Sequence, residues 1–211
     1  MTDSGNSVGE ISGHHKSLLS CDFKPNRPMR LVTVGEDFQT SFFEGPPFRL
    51  KKFEKAHGSY VNSVRYSPDG SKYATVGSDR KIFICDGLTG DIIEELKNES
   101  ASHTASVLGS AWIDNEKLAT CAMDGRVIVW CLPNGVLNVI QSKAGPLVAI
   151  QKLASGELVV LGFNGTLSVI TNWESGEERV VVQHQSAPSH LLYLEESNLL
   201  VSTDVNGVVR K

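Results

Sequence analysis

A unit that recurs about every 42 residues limits what this chain can fold into more than any other feature. Each unit has a His, a Ser or Thr 17–18 residues later, and an Asp or Asn four residues after that. The units read His15/Thr33/Asp37, His57/Thr75/Asp79, His103/Thr120/Asp124 and His184/Ser202/Asn206. A degenerate unit centred on Asn164 lies between the third and the fourth. The turn residues Asp37, Asp79, Asp124, Asn164 and Asn206 are therefore 42, 45, 40 and 42 apart. A unit this short cannot bury its faces alone and must stack on its neighbours.

The second unit shows the local grammar. His57 precedes the alternating run Tyr60 to Tyr66, and Ser67-Pro68-Asp69-Gly70 reads as a tight turn. Strands are expected over Lys72 to Val76, Lys81 to Cys85 and Asp91 to Leu96, with turns at Gly77-Ser78-Asp79-Arg80 and Thr89-Gly90. Asp124-Gly125, Asn164-Gly165 and Asn206-Gly207 precede further short apolar runs, as hairpin turns with both central positions at φ > 0 would. Four short strands per unit in an antiparallel meander make the chain all-β. A repeat of this length and composition indicates a WD40-type β-propeller with about five blades' worth of repeats. The repeats run over residues 13–56, 57–102, 103–140, 141–182 and 183–211, with 1–12 read as the fourth strand of a preceding blade. The last unit has three strands and the segment Ser7 to Ile11 is a spare fourth, so the two ends could pair and close a five-bladed ring; an incomplete ring, an arc excerpted from a larger propeller, is the expectation.

The unit's polar residues have a structural role. The Asp can accept from turn amides and from the imidazole, while the Ser or Thr hydroxyl links the imidazole to an aromatic six residues beyond the Asp. Such a buried network is tolerable when every member is satisfied. The aromatic position holds Phe43, Cys85, Trp130 and Ile170. Only Trp130 can donate an N–H, so the other networks are truncated. The degenerate unit lacks the His and has Val160 for the Thr, and is expected to rest on apolar packing alone. The network set is thus His15, Thr33, Asp37, His57, Thr75, Asp79, His103, Thr120, Asp124, Trp130, His184 and Ser202. A hydrolase needs one His/Ser/Asp set in one cleft; repetition of the set in several units argues for architecture. Neither a catalytic nor a metal site is expected. Adjacent His14 and His15 face opposite ways on an extended segment, with His14 exposed to solvent.

Lys plus Arg number 20 and Asp plus Glu 24, a net charge of −4 that gives no reason to expect nucleic acid or an anionic membrane as partner. No apolar run approaches the roughly 18 residues of a membrane helix. The cysteines Cys21, Cys85, Cys121 and Cys131 form no C-x-x-C pair and lie in or beside apolar runs, as buried thiols of a reduced cytoplasmic protein do. No cofactor and no small-molecule substrate is expected.

The string Phe42-Phe43-Glu44-Gly45-Pro46-Pro47-Phe48 is more specific than a generic repeat. With Asp3 to Gly9, Cys21 to Pro28 and Val61 to Gly70, it resembles the actin-interacting protein 1 family, the WD-repeat cofactors of cofilin. The resemblance is close from Asp3 to Trp130 and weaker but collinear to Lys211. It implies the interior of the first of two seven-bladed propellers. It also implies binding to actin filaments with cofilin, promotion of cofilin-dependent disassembly, and a place in the cytoplasm at the actin cytoskeleton. The alternative is a generic WD40 protein-interaction scaffold. For partner contacts the candidates are Glu36, Phe38 and Arg80 at the turns, and Phe48 and Lys51 on a basic, aromatic strand.

Overall fold

The computed structural model describes residues 11–133 and 135–211. Among these residues every regular element is a β-strand. The reading of Ser7 to Ile11 as a strand falls, but for Ile11, outside the described residues. The chain divides into two compact units, Met1–Leu96 and Lys97–Lys211.

The first unit holds two four-stranded antiparallel meanders, strand following strand in chain order. One comprises β1 (Leu18–Phe23), β2 (Arg30–Gly35), β3 (Thr40–Glu44) and β4 (Arg49–Glu54); the other β5 (Val61–Tyr66), β6 (Lys72–Gly77), β7 (Ile82–Asp86) and β8 (Ile92–Glu95). The middle strands are buried on both faces, whereas β4 and β8 are largely exposed. Strand β1 lies against β5, where Ser20 Oγ accepts from Arg65 Nη1 at 3.0 Å and Asp22 Oδ2 from the Tyr66 amide at 2.7 Å. Val32, Val34 and Phe42 pack against Val61, Val64 and Tyr73, the Phe42 and Tyr73 rings stacking at 6.3 Å. Phe43 points to the opposite face, onto Leu31 and Phe48. Successive side chains alternate across a strand, so one sequence step feeds two separate clusters. Each ring contributes about 2–3 kcal/mol by burial.

The second unit holds three sheets. They are β9 (Val107–Trp112), β10 (Lys117–Ala122), β11 (Arg126–Cys131) and β12 (Gly135–Gln141); β13 (Leu147–Lys152), β14 (Leu158–Gly162), β15 (Thr166–Asn172) and β16 (Glu177–Gln183); and the three-stranded β17 (Pro188–Leu194), β18 (Leu199–Asp204) and β19 (Val209–Arg210). Ala119, Cys121, Val127 and Val129 of the first sheet meet Leu147, Ile150, Leu158 and Val160 of the second. Val159, Leu161, Leu167 and Val169 meet Leu191 of the third.

The sheet β13–β16 does not rest on apolar packing alone. Glu178, buried on β16 opposite Ile170, accepts from Ser142 Oγ and from the Lys143 amide, both at 2.7 Å. A carboxylate from the outer strand thus serves the polar groups where the chain enters β13. The cysteines also differ from one another. Cys85 and Cys121 are buried, and burial pushes the Cys85 thiol up to about 12, whereas Cys21 is exposed.

The Asp124-Gly125, Asn164-Gly165 and Asn206-Gly207 turns are not of the expected kind, since only their glycines are left-handed, and the turns that carry Asp37 and Asp79 share the geometry of the Asp124 turn. The amides of Phe38, Arg80 and Gly125 donate back to Gly35, Gly77 and Ala122, and only the residue after the Asp is left-handed. This is the longer loop built on a type I turn closed by a single αL residue. The Asp occupies an ordinary right-handed position, and its side chain folds over the turn to accept the amide two residues on.

Candidate functional site

The His, Thr and Asp of the motif come together in the second and third repeats, and the third alone of the two adds the indole donor. His57 Nδ1 lies 3.0 Å from Asp79 Oδ1, and its Nε2 lies 3.0 Å from Thr75 Oγ1. Asp79 also accepts from the Gly58 amide at 2.8 Å and the Lys81 amide at 3.1 Å. A carboxylate can only accept, so Nδ1 donates to it; in that tautomer Nε2 accepts the Thr hydroxyl proton. His103, Thr120 and Asp124 repeat this geometry at 2.9 Å to the hydroxyl and 3.1 Å to the carboxylate, and Trp130 Nε1 donates to Thr120 Oγ1 at 3.0 Å. In the second repeat Cys85 stands where Trp130 does, and the Thr75 hydroxyl has no indole to accept from.

In the first repeat the network histidine is His14, not His15. His14 Nδ1 is 3.0 Å from Asp37 and its Nε2 is 2.8 Å from Thr33 Oγ1. His15 is exposed and contributes only its backbone amide, at 3.1 Å from Asp37 Oδ2. The register explains the displacement. In each complete repeat the His stands seven residues before the strand residue facing the Ser or Thr. The pairs are His14 and Cys21, His57 and Val64, His103 and Ser110, and His184 and Leu191. What varies is the hairpin between the paired strands. The first, Lys24-Pro25-Asn26-Arg27-Pro28-Met29, is longer than the second by one residue, so counting back from Asp37 by the second repeat's spacing stops one residue short, on His15.

The last repeat also departs from its motif. His184 Nε2 is 2.8 Å from Ser202 Oγ, but the acid beside its Nδ1 is Asp204, at 3.5 Å, while Asn206 is exposed. Asp204 occupies the position of Gly77, where an added Cβ would lie 2.7 Å from Asp79 Oδ1. A side chain from that position reaches the same carboxylate site. Asp204 Oδ1 then accepts from the Asn206 and Val208 amides, both at 3.0 Å.

Electrostatics tie these acids to the fold. Burial pushes the Asp79 carboxyl up, but the hydrogen bonds from His57 and the Gly58 and Lys81 amides outweigh it, leaving the group below the usual carboxylate range. Asp37 and Asp124 are lowered by the same balance. The imidazoles of His57, His103 and His184 and the hydroxyls of Thr33, Thr75, Thr120 and Ser202 are buried. Among the described residues no cluster of three or more His, Cys, Asp or Glu could hold a metal ion.

The partner candidates separate into two groups. Glu36, Phe38 and Arg80 lie on turns at one end of the strands. There the Phe38 ring meets Tyr60 at 5.7 Å, and Lys16 Nζ stands 5.7 Å over Phe38. Tyr60 is 43% exposed and its carbonyl accepts the Ser78 amide, joining the ring pair to the turn that carries Arg80. Lys51 lies at the opposite end of the first sheet, 3.7 Å from Glu44, beside a shallow cavity of about 440 Å³ walled by Pro46 and Pro47. Phe48 is only 7% exposed and packs on Phe43 and Phe23, so it cannot serve as a contact. Sequence reasoning missed Tyr60 and Lys16, because their place beside Phe38 comes from packing across the turns. In the second unit, Phe163 and Val205 occupy turn positions corresponding to Glu36 and are exposed.

These sheets, turns and networks define a WD40-type β-propeller. The family model for the WD domain, G-beta repeat matches residues 48–86 and 95–131. Over 99% of its length the chain is 34% identical to actin-interacting protein 1 of Drosophila melanogaster, covering 35% of that protein. It is 50% identical over 107 residues, 51% of the chain, to actin-interacting protein 1-2 of Arabidopsis thaliana, covering 17% of that protein. It is 44% identical over 138 residues, 64% of the chain, to WD repeat-containing protein 1 of Bos taurus, covering 23% of it. The chain thus spans about a third or less of the length of these relatives. Among solved structures, U3-55K superposes with a TM-score of 0.84 at 19% identity, covering 94% of this chain and 61% of that one. The WD40 propeller domain of Doa1 superposes at 0.80 and 18%, covering 94% and 64%. Both likenesses concern the fold.

Proposed function

We propose that this chain is a non-enzymatic binding module that engages actin filaments and acts with cofilin in their disassembly, in the cytoplasm at the actin cytoskeleton. One observation carries the reading: a turn rim on which Tyr60 and Arg80 are exposed and Glu36 and Phe38 half-buried, held by buried strands, in a chain similar along 99% of its length to an actin-interacting protein. A rigid rim suits binding because the strands fix the turns while the turn side chains stay free to differ. If the rim fits cofilin-decorated filaments better than bare ones, binding shifts the filament toward the decorated, severing-prone state by that difference in affinity. The repeats at 13–56, 57–102, 103–140, 141–182 and 183–211 serve as the blades, and the buried His/Thr/Asp sets serve stability rather than chemistry.

Filament co-sedimentation with and without cofilin tests this. Cofilin-dependent pelleting that weakens at least fivefold in Glu36→Ala or Tyr60→Ala is the expected result. A folded chain that does not pellet under either condition refutes it and leaves the generic WD40 scaffold.

A further inference from the structure

The corresponding turns of the five repeats place one residue each in the left-handed region. Three use glycine, Gly125, Gly165 and Gly207, at φ of 76°, 87° and 80°. The other two use Phe38 at 67° and Arg80 at 69°. Glycine takes this conformation freely, whereas a Cβ is crowded there, most of all on a bulky residue. The same turn closes with glycine elsewhere in the chain, so the fold does not require a side chain at these positions. A residue held in a disfavoured conformation without a structural reason points to a use for its side chain.

The surroundings indicate what that use is. Phe38 is not sunk into the core but lies half-buried at the surface beside Tyr60, under Lys16. Arg80 is exposed on the neighbouring turn, whose Ser78 binds the Tyr60 carbonyl. Asp37 and Asp79 are consumed by His14 and His57. Lys16 and Arg80 are the cations of this rim, with Glu36 as its further acid among the described residues. Two aromatic rings, with Lys16 over one and Arg80 on the neighbouring turn, suit a segment that offers an apolar or aromatic anchor between carboxylates.

We propose that Phe38, Tyr60, Lys16 and Arg80 form one contact patch for an acidic protein segment carrying an aromatic anchor. The proposal rests on the reading of this rim as a contact surface but not on actin as the partner. The probe is a dye-labelled random copolymer of glutamate and tyrosine, with polyglutamate for comparison, titrated with the full chain in fluorescence anisotropy. The copolymer is expected to bind at least fivefold tighter than polyglutamate, and to weaken as salt is raised. Phe38→Gly and Arg80→Gly should each weaken copolymer binding at least fivefold while the unfolding midpoint holds or rises. Phe38→Asn, which also accepts the left-handed conformation, should match Phe38→Gly, and Lys51→Ala at the opposite end should bind as the unsubstituted chain does. No copolymer binding, or equal binding by all variants, overturns the proposal. Filament pelleting is read separately. Its absence alongside copolymer binding refutes only the actin reading, and pelleting alongside unchanged variant binding refutes only this patch.

Discussion

Replacing Asp79 by Ala removes three hydrogen bonds at once. The carboxylate accepts from His57 Nδ1 at 3.0 Å, the Gly58 amide at 2.8 Å and the Lys81 amide at 3.1 Å. These donors are not equivalent. The two amides belong to exposed residues and regain water, so each bond is worth about 0.5 kcal/mol net. His57 is 5% exposed, and its ring nitrogen would be left buried without an acceptor, a cost of about 2–3 kcal/mol. The sum is about 3–4 kcal/mol, a large share of the roughly 5–15 kcal/mol that holds a typical domain together. Urea unfolding followed by circular dichroism measures it, and the thermal midpoint should fall by roughly 6–16 °C. A double-mutant cycle with His57→Ala should show a coupling of at least about 1 kcal/mol. A loss below about 1 kcal/mol for Asp79→Ala, or additive behaviour of the pair, would refute the network as a stabilising unit.

Three further outcomes follow from the geometry. His14→Ala should cost about 2 kcal/mol in urea unfolding and His15→Ala less than about 0.5 kcal/mol, because only the His14 ring is bonded; the opposite order would return the network to His15. Asp204→Ala should cost about 2 kcal/mol and Asn206→Ala almost nothing, since Asp204 caps the last turn; comparable losses would put the cap on Asn206. Folding should also depend on acid. Asp37, Asp79 and Asp124 are lowered in the folded state, so their contribution is complete above the unfolded carboxyl value of about 4 and is lost as the pH falls below it through the lower folded values. Thermal midpoints should be level from about pH 7 to 5 and fall below about pH 4, less steeply in an Asp79→Asn variant; a midpoint that rises into acid would contradict the assignment.

Much of the fold was legible because its cause is local. Alternation of apolar and polar residues and punctuation by Asp, Asn and Gly place strands near where β5 to β8 are found. Trp130 was legible as an indole donor because one residue type decides it. The misassignments share a different cause. Spacing along the chain points to His15, but the fold fixes the His relative to the residue paired with the Thr, across a hairpin whose length differs between repeats. Position in the motif points to Asn206, but the site asks only for a carboxylate, and Asp204 delivers one from two residues earlier. Phe48 read as an exposed aromatic because a strand's two faces look alike in sequence until its neighbours are placed.

The sequence by itself determined the all-β repeat, the positions of the strands and the residue types of the network, because backbone propensity and turn chemistry act over a few residues. Tertiary structure decided which histidine and which acid enter each network, that Glu178 replaces the network in the sheet β13–β16, and that Tyr60 and Lys16 join Phe38. Those choices depend on distances between atoms far apart in the chain, and such distances exist only once the strands have paired and packed.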